Sequence, residues 1–207
     1  TAGSTGAALA GGVAYAGRIR GVRTPALATF LPSVPGRRLC LADCGANVDC
    51  KPERMEQFAL MATALMQSCG VEEPRVGLLS VGVEKSKGSH FIREVYDLLE
   101  RLPIRFTGMM EARDALSGEY DVIVAEGFSG NVLLKTIEGT AKFMSGMMKD
   151  MFKKNIFTKL AAAMCMSGIR EFKSKLDYRQ TGGTVLIDCG ATAECTPEFL
   201  LQFAFMG

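Results

Sequence analysis

Short apolar runs bounded by turn residues alternate with longer amphipathic stretches through most of this 207-residue chain. The runs at 26–30, 39–43, 76–80, 104–108, 121–125 and 185–188 predict buried strands. Helical spacing at 7–17, 53–68 and 90–99 predicts helices between them. This alternation argues for βα units and an α/β fold with a mostly parallel sheet. Continuous apolar segments such as Val122-Ile123-Val124 suit a sheet covered on both faces. From Val132 the pattern changes. Leu133, Ile137, Ala141, Met144, Met148 and Met151 step by three or four, predicting an amphipathic helix of about five or six turns. A break near Asn155 and a second helical stretch at 159–176 predict a projecting two-helix hairpin over 132–176, with Asn155-Ile156-Phe157-Thr158 at its tip. The methionine stripe reads as core or dimer packing in preference to a cofactor pocket, because methionine fills irregular gaps.

One phrase occurs twice. Asp43-Cys44-Gly45-Ala46-Asn47-Val48-Asp49-Cys50-Lys51-Pro52-Glu53 reads as a strand ending in a carboxylate, a glycine-bearing turn and a helix opened by proline. Residues 184–207 replay 39–62 at an offset of 145, with Thr192 for Asn47 and Glu194 for Asp49. If both copies enter one sheet, they would compete for one structural slot. The whole of 1–207 is otherwise expected to be a single domain, and its start at Thr1 without methionine suggests a piece of something longer.

Composition narrows the class. Hydrophobic residues at 48% and charged residues at 22% are ordinary for a soluble globular chain, and a net charge of +2 gives no reason to expect nucleic acid as a partner. The charge is uneven: residues 149–179 hold eight Lys/Arg against three acids. Seven cysteines without a Cys-x-x-Cys pair, and His90 as the only histidine, do not make a zinc site. Free thiols in a reducing cytosol fit this usage. No cofactor is required by any motif present.

Four strand-to-helix turns carry the candidate chemistry. Thr1-Ala2-Gly3-Ser4-Thr5-Gly6 precedes a predicted helix and reads either as an anion cradle or as a simple cap. The 43–50 turn offers Asn47 and Asp49 beside Gly45. The segment 81–90 after the 76–80 strand carries Lys85 and Lys87, where an ammonium could neutralise an anion or a developing oxyanion; His90 reads as a capping or packing residue. Glu126-Gly127-Phe128-Ser129-Gly130-Asn131 leads into the long helix, with Asn131 either its N-cap or a donor to a carbonyl. All four turns fall on one sheet edge, where open α/β sheets bind ligands. There is no Ser-His-Asp set, Gly-x-Ser-x-Gly elbow or P-loop.

Several of these stretches resemble the acyl-carrier-protein:phosphate acyltransferases of bacterial phospholipid synthesis. They are 1–7, Pro25-Ala26-Leu27-Ala28-Thr29, Gly45-Ala46-Asn47-Val48-Asp49-Cys50-Lys51-Pro52, Gln57-Phe58-Ala59-Leu60-Met61, Gly127-Phe128-Ser129-Gly130-Asn131-Val132 and Lys135-Thr136-Ile137-Glu138-Gly139. The resemblance implies a three-layer fold of the phosphotransacetylase and isocitrate-dehydrogenase-like type, a homodimer, and transfer of a long acyl chain from acyl carrier protein to inorganic phosphate. It implies catalytic roles for Lys87 and Asn131; beside them, the turns themselves lead us to expect a phosphate site drawn from Thr1, Gly3, Ser4, Thr5, Gly6, Asn47 and Asp49, with Lys87 also holding phosphate. It further implies a cytoplasmic protein touching the membrane surface through Ile156 and Phe157, flanked by Lys153, Lys154 and Lys159. The departures are Ser4 where the family usually has asparagine, a family pattern that extends before Thr1, and a C-terminal segment from Thr184 that is not the family's closing one. Alternatives are a phosphotransacetylase-like enzyme using acyl-CoA, or a catalytically silent membrane-docking or interaction module.

Overall fold

The computed structural model describes Ala14, residues 23–34, 36–170 and 184–187. The 1–6 loop, the predicted 7–17 helix and most of the second copy of the repeat lie outside the described residues. Six strands form one sheet: β1 (Ala26–Pro32), β2 (Arg38–Ala42), β3 (Arg75–Ser80), β4 (Arg105–Glu111), β5 (Val122–Val124) and β6 (Thr184–Ile187), in the order β4-β3-β5-β2-β1-β6. The pairs β3–β4, β3–β5 and β2–β5 are parallel, whereas β1 runs antiparallel to both β2 and β6.

The two copies of the repeat do not compete for one slot in the sheet. Thr29 pairs with Leu41 on one side and with Thr184 on the other, so equivalent segments flank β1 from opposite sides. Each can do so because β1 offers hydrogen-bonding groups to both neighbours.

The helices are α1 (Pro52–Ser68), α2 (His90–Leu99), α3 (Gly127–Lys153) and α4 (Ile156–Met164). Proline at the first helical position and Glu53 in the first turn suit the start of α1. Its buried stripe of Met55, Phe58, Ala59, Ala62, Leu65 and Met66 packs on Cys40, Ala42, Val122 and Val124 of the sheet, joined by Val95 and Leu99 of α2. Intervening residues Leu39, Leu41 and Ile123 point to the opposite face, where Leu133 and Leu134 of α3 cover them. That alternation makes three layers, helix–sheet–helix.

α3 starts at Gly127, five residues before the helical periodicity becomes apparent. Of the two packing roles expected for its methionine stripe, core or dimer, the core role is corrected by burial in this chain. Only its first turns reach the sheet, and Phe143, Met144, Met147 and Met151 are more than half exposed. Nor does the predicted Asn-Ile-Phe-Thr tip form. Asn155 caps α4 through a reciprocal pair with Thr158, accepting from its N–H at 2.9 Å and donating to its Oγ1 at 3.0 Å. Ile156 and Phe157 therefore sit in the first turn of α4, 65% and 81% exposed. Helix resumes at 166–170, and 171–176 falls outside the described residues. No helix among the described residues is long and apolar enough to cross a membrane.

Candidate active site

Asp43 directly follows β2 and is fully buried, and its carboxyl group builds the turn. Oδ1 accepts from the N–H groups of Leu27 (2.9 Å) and Ala46 (3.2 Å). Oδ2 accepts from the backbone N–H (2.6 Å) and side-chain amide (2.9 Å) of Asn47. Four donors offset the cost of burying this acid. Asn47 is buried too. Its amide bridges Asp43 and the Pro25 carbonyl, each at 2.9 Å, so it ties the turn after β2 to the residue before β1, while Asp49 lies exposed. Gly45 makes the bend at φ 135°, a conformation that disfavours any side chain.

The start of α3 docks onto this turn by backbone contact. Gly127 donates its N–H to the Asn47 carbonyl at 2.9 Å. A β-carbon at Gly127 would lie 2.6 Å from that carbonyl oxygen, and one at Gly130 would lie 1.9 Å from the Asp43 oxygen. This contact places Asn131 over Gly45, whose notional β-carbon would be 3.7 Å from Asn131 Oδ1. The capping reading of Asn131 is corrected: Glu126 occupies the N-cap, and Asn131 stands exposed in the second turn. Its amide makes no hydrogen bond among the described residues.

On the neighbouring strand, β3 runs into Val81 and a short 3-10 turn at Lys85–Lys87. The Lys87 ammonium pairs with Glu84 at 2.9 Å, and its aliphatic stem folds over Gly82. The Lys87 hydrogen bond holds the Glu84 carboxyl below the usual glutamate range. Lys85 is turned away to Asp97 and the Tyr96 ring on α2. Ser89, not His90, caps α2, accepting from Ile92 N–H at 3.2 Å.

Between these elements lies a hollow of about 380 Å³. Its walls come from the end of β3 (Leu79, Ser80, Val81), the start of α2 (Ser89, Ile92) and the start of α3 (Phe128, Ser129, Val132, Leu133). Neither Lys87 nor Asn131 lines it, but the elements carrying both residues bound it. The first turn of α3 brings the positive end of its dipole to the C-terminal edge of the sheet. Of the predicted site residues, the structure thus brings Lys87, Asn131, Asn47 and Asp49 to one rim; Thr1, Gly3, Ser4, Thr5 and Gly6 lie outside the described residues. Reading the sequence alone missed Asp43 as the organiser of this rim, although a carboxylate closing an apolar strand was its visible signal. No group of three or more metal-ligating side chains occurs among the described residues.

Helices on both faces of this sheet, with glycine turns at its C-terminal edge, define a three-layer α/β domain, and phosphotransacetylases share its fold. A phosphotransacetylase from Streptococcus pyogenes superposes with a TM-score of 0.56 at 15% identity, covering 68% of this chain and 49% of that one. The EutD phosphotransacetylase from Staphylococcus aureus gives 0.52 at 18% identity, over 63% and 46% of the two chains. The model of the family described as fatty acid synthesis protein matches residues 1–187, and the chain belongs to this family. It is 44% identical over 192 residues to a phosphate acyltransferase of Oceanobacillus iheyensis, and 42% identical over 187 residues to one of Lysinibacillus sphaericus. Those alignments take in 92% and 90% of this chain but 58% and 57% of the relatives, so the chain spans rather more than half their length.

Proposed function

We propose that this chain carries the catalytic half-site of an enzyme that transfers a long-chain acyl group from the thioester of acyl carrier protein to inorganic phosphate, giving acyl phosphate for phospholipid synthesis. A phosphate oxygen attacks the thioester carbonyl carbon, the C–S bond breaks, and the thiol leaves as thiolate and takes up a proton. A leaving thiol of pKa about 8.5 departs without strong acid assistance. The protein's task is then to hold and desolvate phosphate and to stabilise the carbonyl oxyanion. In this reading Lys87, the 1–6 loop and the 43–49 turn hold phosphate, and Asn131 donates to the carbonyl oxygen.

The observation that carries the proposal is the adjacency of β3 and β5. Their C-terminal ends deliver the Lys87 loop and the Asn131 helix to two sides of one hollow. Phosphate-dependent thiol release from acyl carrier protein thioester tests it. Lys87→Ala and Asn131→Ala should each lower turnover by about 10²-fold or more, and near-normal rates in both variants would remove the proposal. Running the same assay with acyl-CoA separates the phosphotransacetylase-like alternative, and no turnover with either donor favours a silent docking module.

A peripheral membrane role for the hairpin rests on a separate observation. Ile156, Phe157, Leu160 and Met164 expose apolar surface on α4, beside Lys153, Lys154 and Lys159. The exposed Met144, Met147 and Met151 of α3 offer a surface for a second copy in a homodimer. Liposome binding that survives Ile156→Asp with Phe157→Asp would discard the membrane role.

A further inference from the structure

A second hollow, of about 800 Å³, opens at the other end of the sheet, where β2, β3, β4 and β5 begin. β3 runs from Arg75 in this hollow to Ser80 beside the Lys87 loop, roughly 17 Å along the strand. The two hollows are therefore separate places. We propose that this one binds an organic diphosphate of nucleotide size, a site that does not depend on the acyl-transfer reading.

Four arginines reach the hollow: Arg37 and Arg38 where β2 starts, Arg75 at the start of β3, and Arg105 at the start of β4. Their commitments differ. Arg75 is spent on the two carboxyl oxygens of Asp121. Arg37 donates from Nη1 to the Gly118 carbonyl at 3.3 Å, which steadies the side chain but leaves its charge unmatched. Arg105 lies 3.7 Å from Glu73, beyond hydrogen-bond distance, and both side chains are more than half exposed. Arg38 makes no side-chain hydrogen bond or ion pair among the described residues. The acids of the wall, among the described residues, are Asp121 and Glu72. Positive charge is in excess, and like charges around one concavity attract an anion into it.

The size and lining of the hollow narrow that anion. Guanidinium forks match phosphate oxygens through paired, charge-assisted hydrogen bonds. Arg38 and Arg105 stand on strands three ladder steps apart, roughly 14 Å, a span that suits two linked phosphoryl groups better than one. Phe30, Met66 and Val71 supply an apolar stretch of the same wall, which a bare inorganic ion would leave uncovered. The volume is that of a site for a small organic ligand.

Cys69 lines the hollow and is exposed, so its labelling reports occupancy. Cys165, exposed at the end of α4, serves as the control. The full chain is treated with iodoacetamide in the presence of ADP, inorganic pyrophosphate, adenosine or citrate, and each cysteine is followed by peptide mass mapping. Saturating ADP should slow labelling of Cys69 about fivefold and leave Cys165 unchanged. Pyrophosphate should protect only at higher concentration, and adenosine and citrate should not protect. Arg38→Glu with Arg105→Glu, both at exposed positions, should raise the ADP concentration for half-protection by about tenfold or more. Circular dichroism confirms that this variant is folded. Lys87→Ala should leave protection as it is in the wild type. Absence of ADP protection, its survival in the charge-reversed variant, or its loss in Lys87→Ala overturns the site; equal protection by citrate or adenosine overturns the diphosphate. Failure of phosphate-dependent thiol release leaves all of these outcomes readable, so the two proposals stand or fall separately.

Discussion

Gly130 meets the backbone of Asp43 so closely that a β-carbon on the glycine would fall 1.9 Å from the aspartate's carbonyl oxygen. Neither partner can yield easily. The Asp43 backbone is held by its N–H bond to Ala125 at 2.9 Å, and Gly130 is fixed in the first turns of α3. Gly130→Ala should therefore push α3 off the turn, costing about 1–3 kcal/mol of stability as overpacked sites do. Asn131 would move with it. Turnover should fall about 10²-fold, the effect of displacing a positioned group by roughly 1 Å. Denaturant melts and the thiol-release assay check the two parts separately.

Glu84 holds Lys87 in an exposed ion pair, and such pairs contribute little to stability. Glu84→Gln should leave the melting midpoint essentially unchanged. It should free the ammonium for an anion. With Lys87 as a phosphate ligand, the KM for phosphate is expected to fall about two- to fivefold, by the modest energy of a surface pair. A rise in that KM would show that Glu84 positions Lys87 rather than occupying it.

Thiol reactivity should report the closure of the 43–50 turn. Burial, with Asp43 as a second contribution, pushes the Cys44 thiol up to about 12, and burial raises Cys50 to about 11. Cys69 and Cys165 are exposed. Brief iodoacetamide treatment followed by peptide mass mapping should label Cys69 and Cys165 well ahead of Cys44, because the thiolate is the reacting form. Opening the turn with Asn47→Ala, which removes the bridge to Pro25, should raise labelling of Cys44.

The far edge of the sheet carries an acid-sensitive clasp. Arg75 grips both carboxyl oxygens of Asp121, at 2.8 and 2.9 Å. Burial raises the Asp121 carboxyl, but the hydrogen bonds and charge of Arg75 outweigh it and leave it below the ordinary 3.8. A carboxyl lowered by folding contributes stability that is complete above its unfolded value and is lost as pH falls through its folded one. Acid should therefore weaken the protein below about pH 4. Asp121→Asn should flatten that limb of the stability profile and cost about 1–3 kcal/mol at neutral pH, measured by urea melts across pH 2–7.

Local chemistry made some elements readable along the chain. The expected bounds of α2 coincide with the observed ones because Ser89 caps it and Leu99 closes its apolar stripe. The sheet edge was legible from glycine turns following apolar runs. The start of α3 was not, because Gly127 and Gly130 have poor helix propensity and read as loop. Their presence answers to the carbonyls of Asn47 and Asp43, eighty and eighty-seven residues earlier. Likewise the role of Asp43 depends on Leu27 in β1, and that of Asn47 on Pro25 just before it, partners that no periodicity connects to them. The 155–158 tip was misplaced because its capping box mimics a turn in composition.

β1 lies between two spellings of one strand, and the outer spelling is only four residues long. Among the described residues, that short strip is what pairs the outer side of β1, over Ala26 to Thr29. A molecule that lost its grip on the strip would present β1 as a template to any other molecule carrying either spelling. Duplication within this chain thus supplies its own seal and, by the same hydrogen bonds, a route to strand exchange between copies.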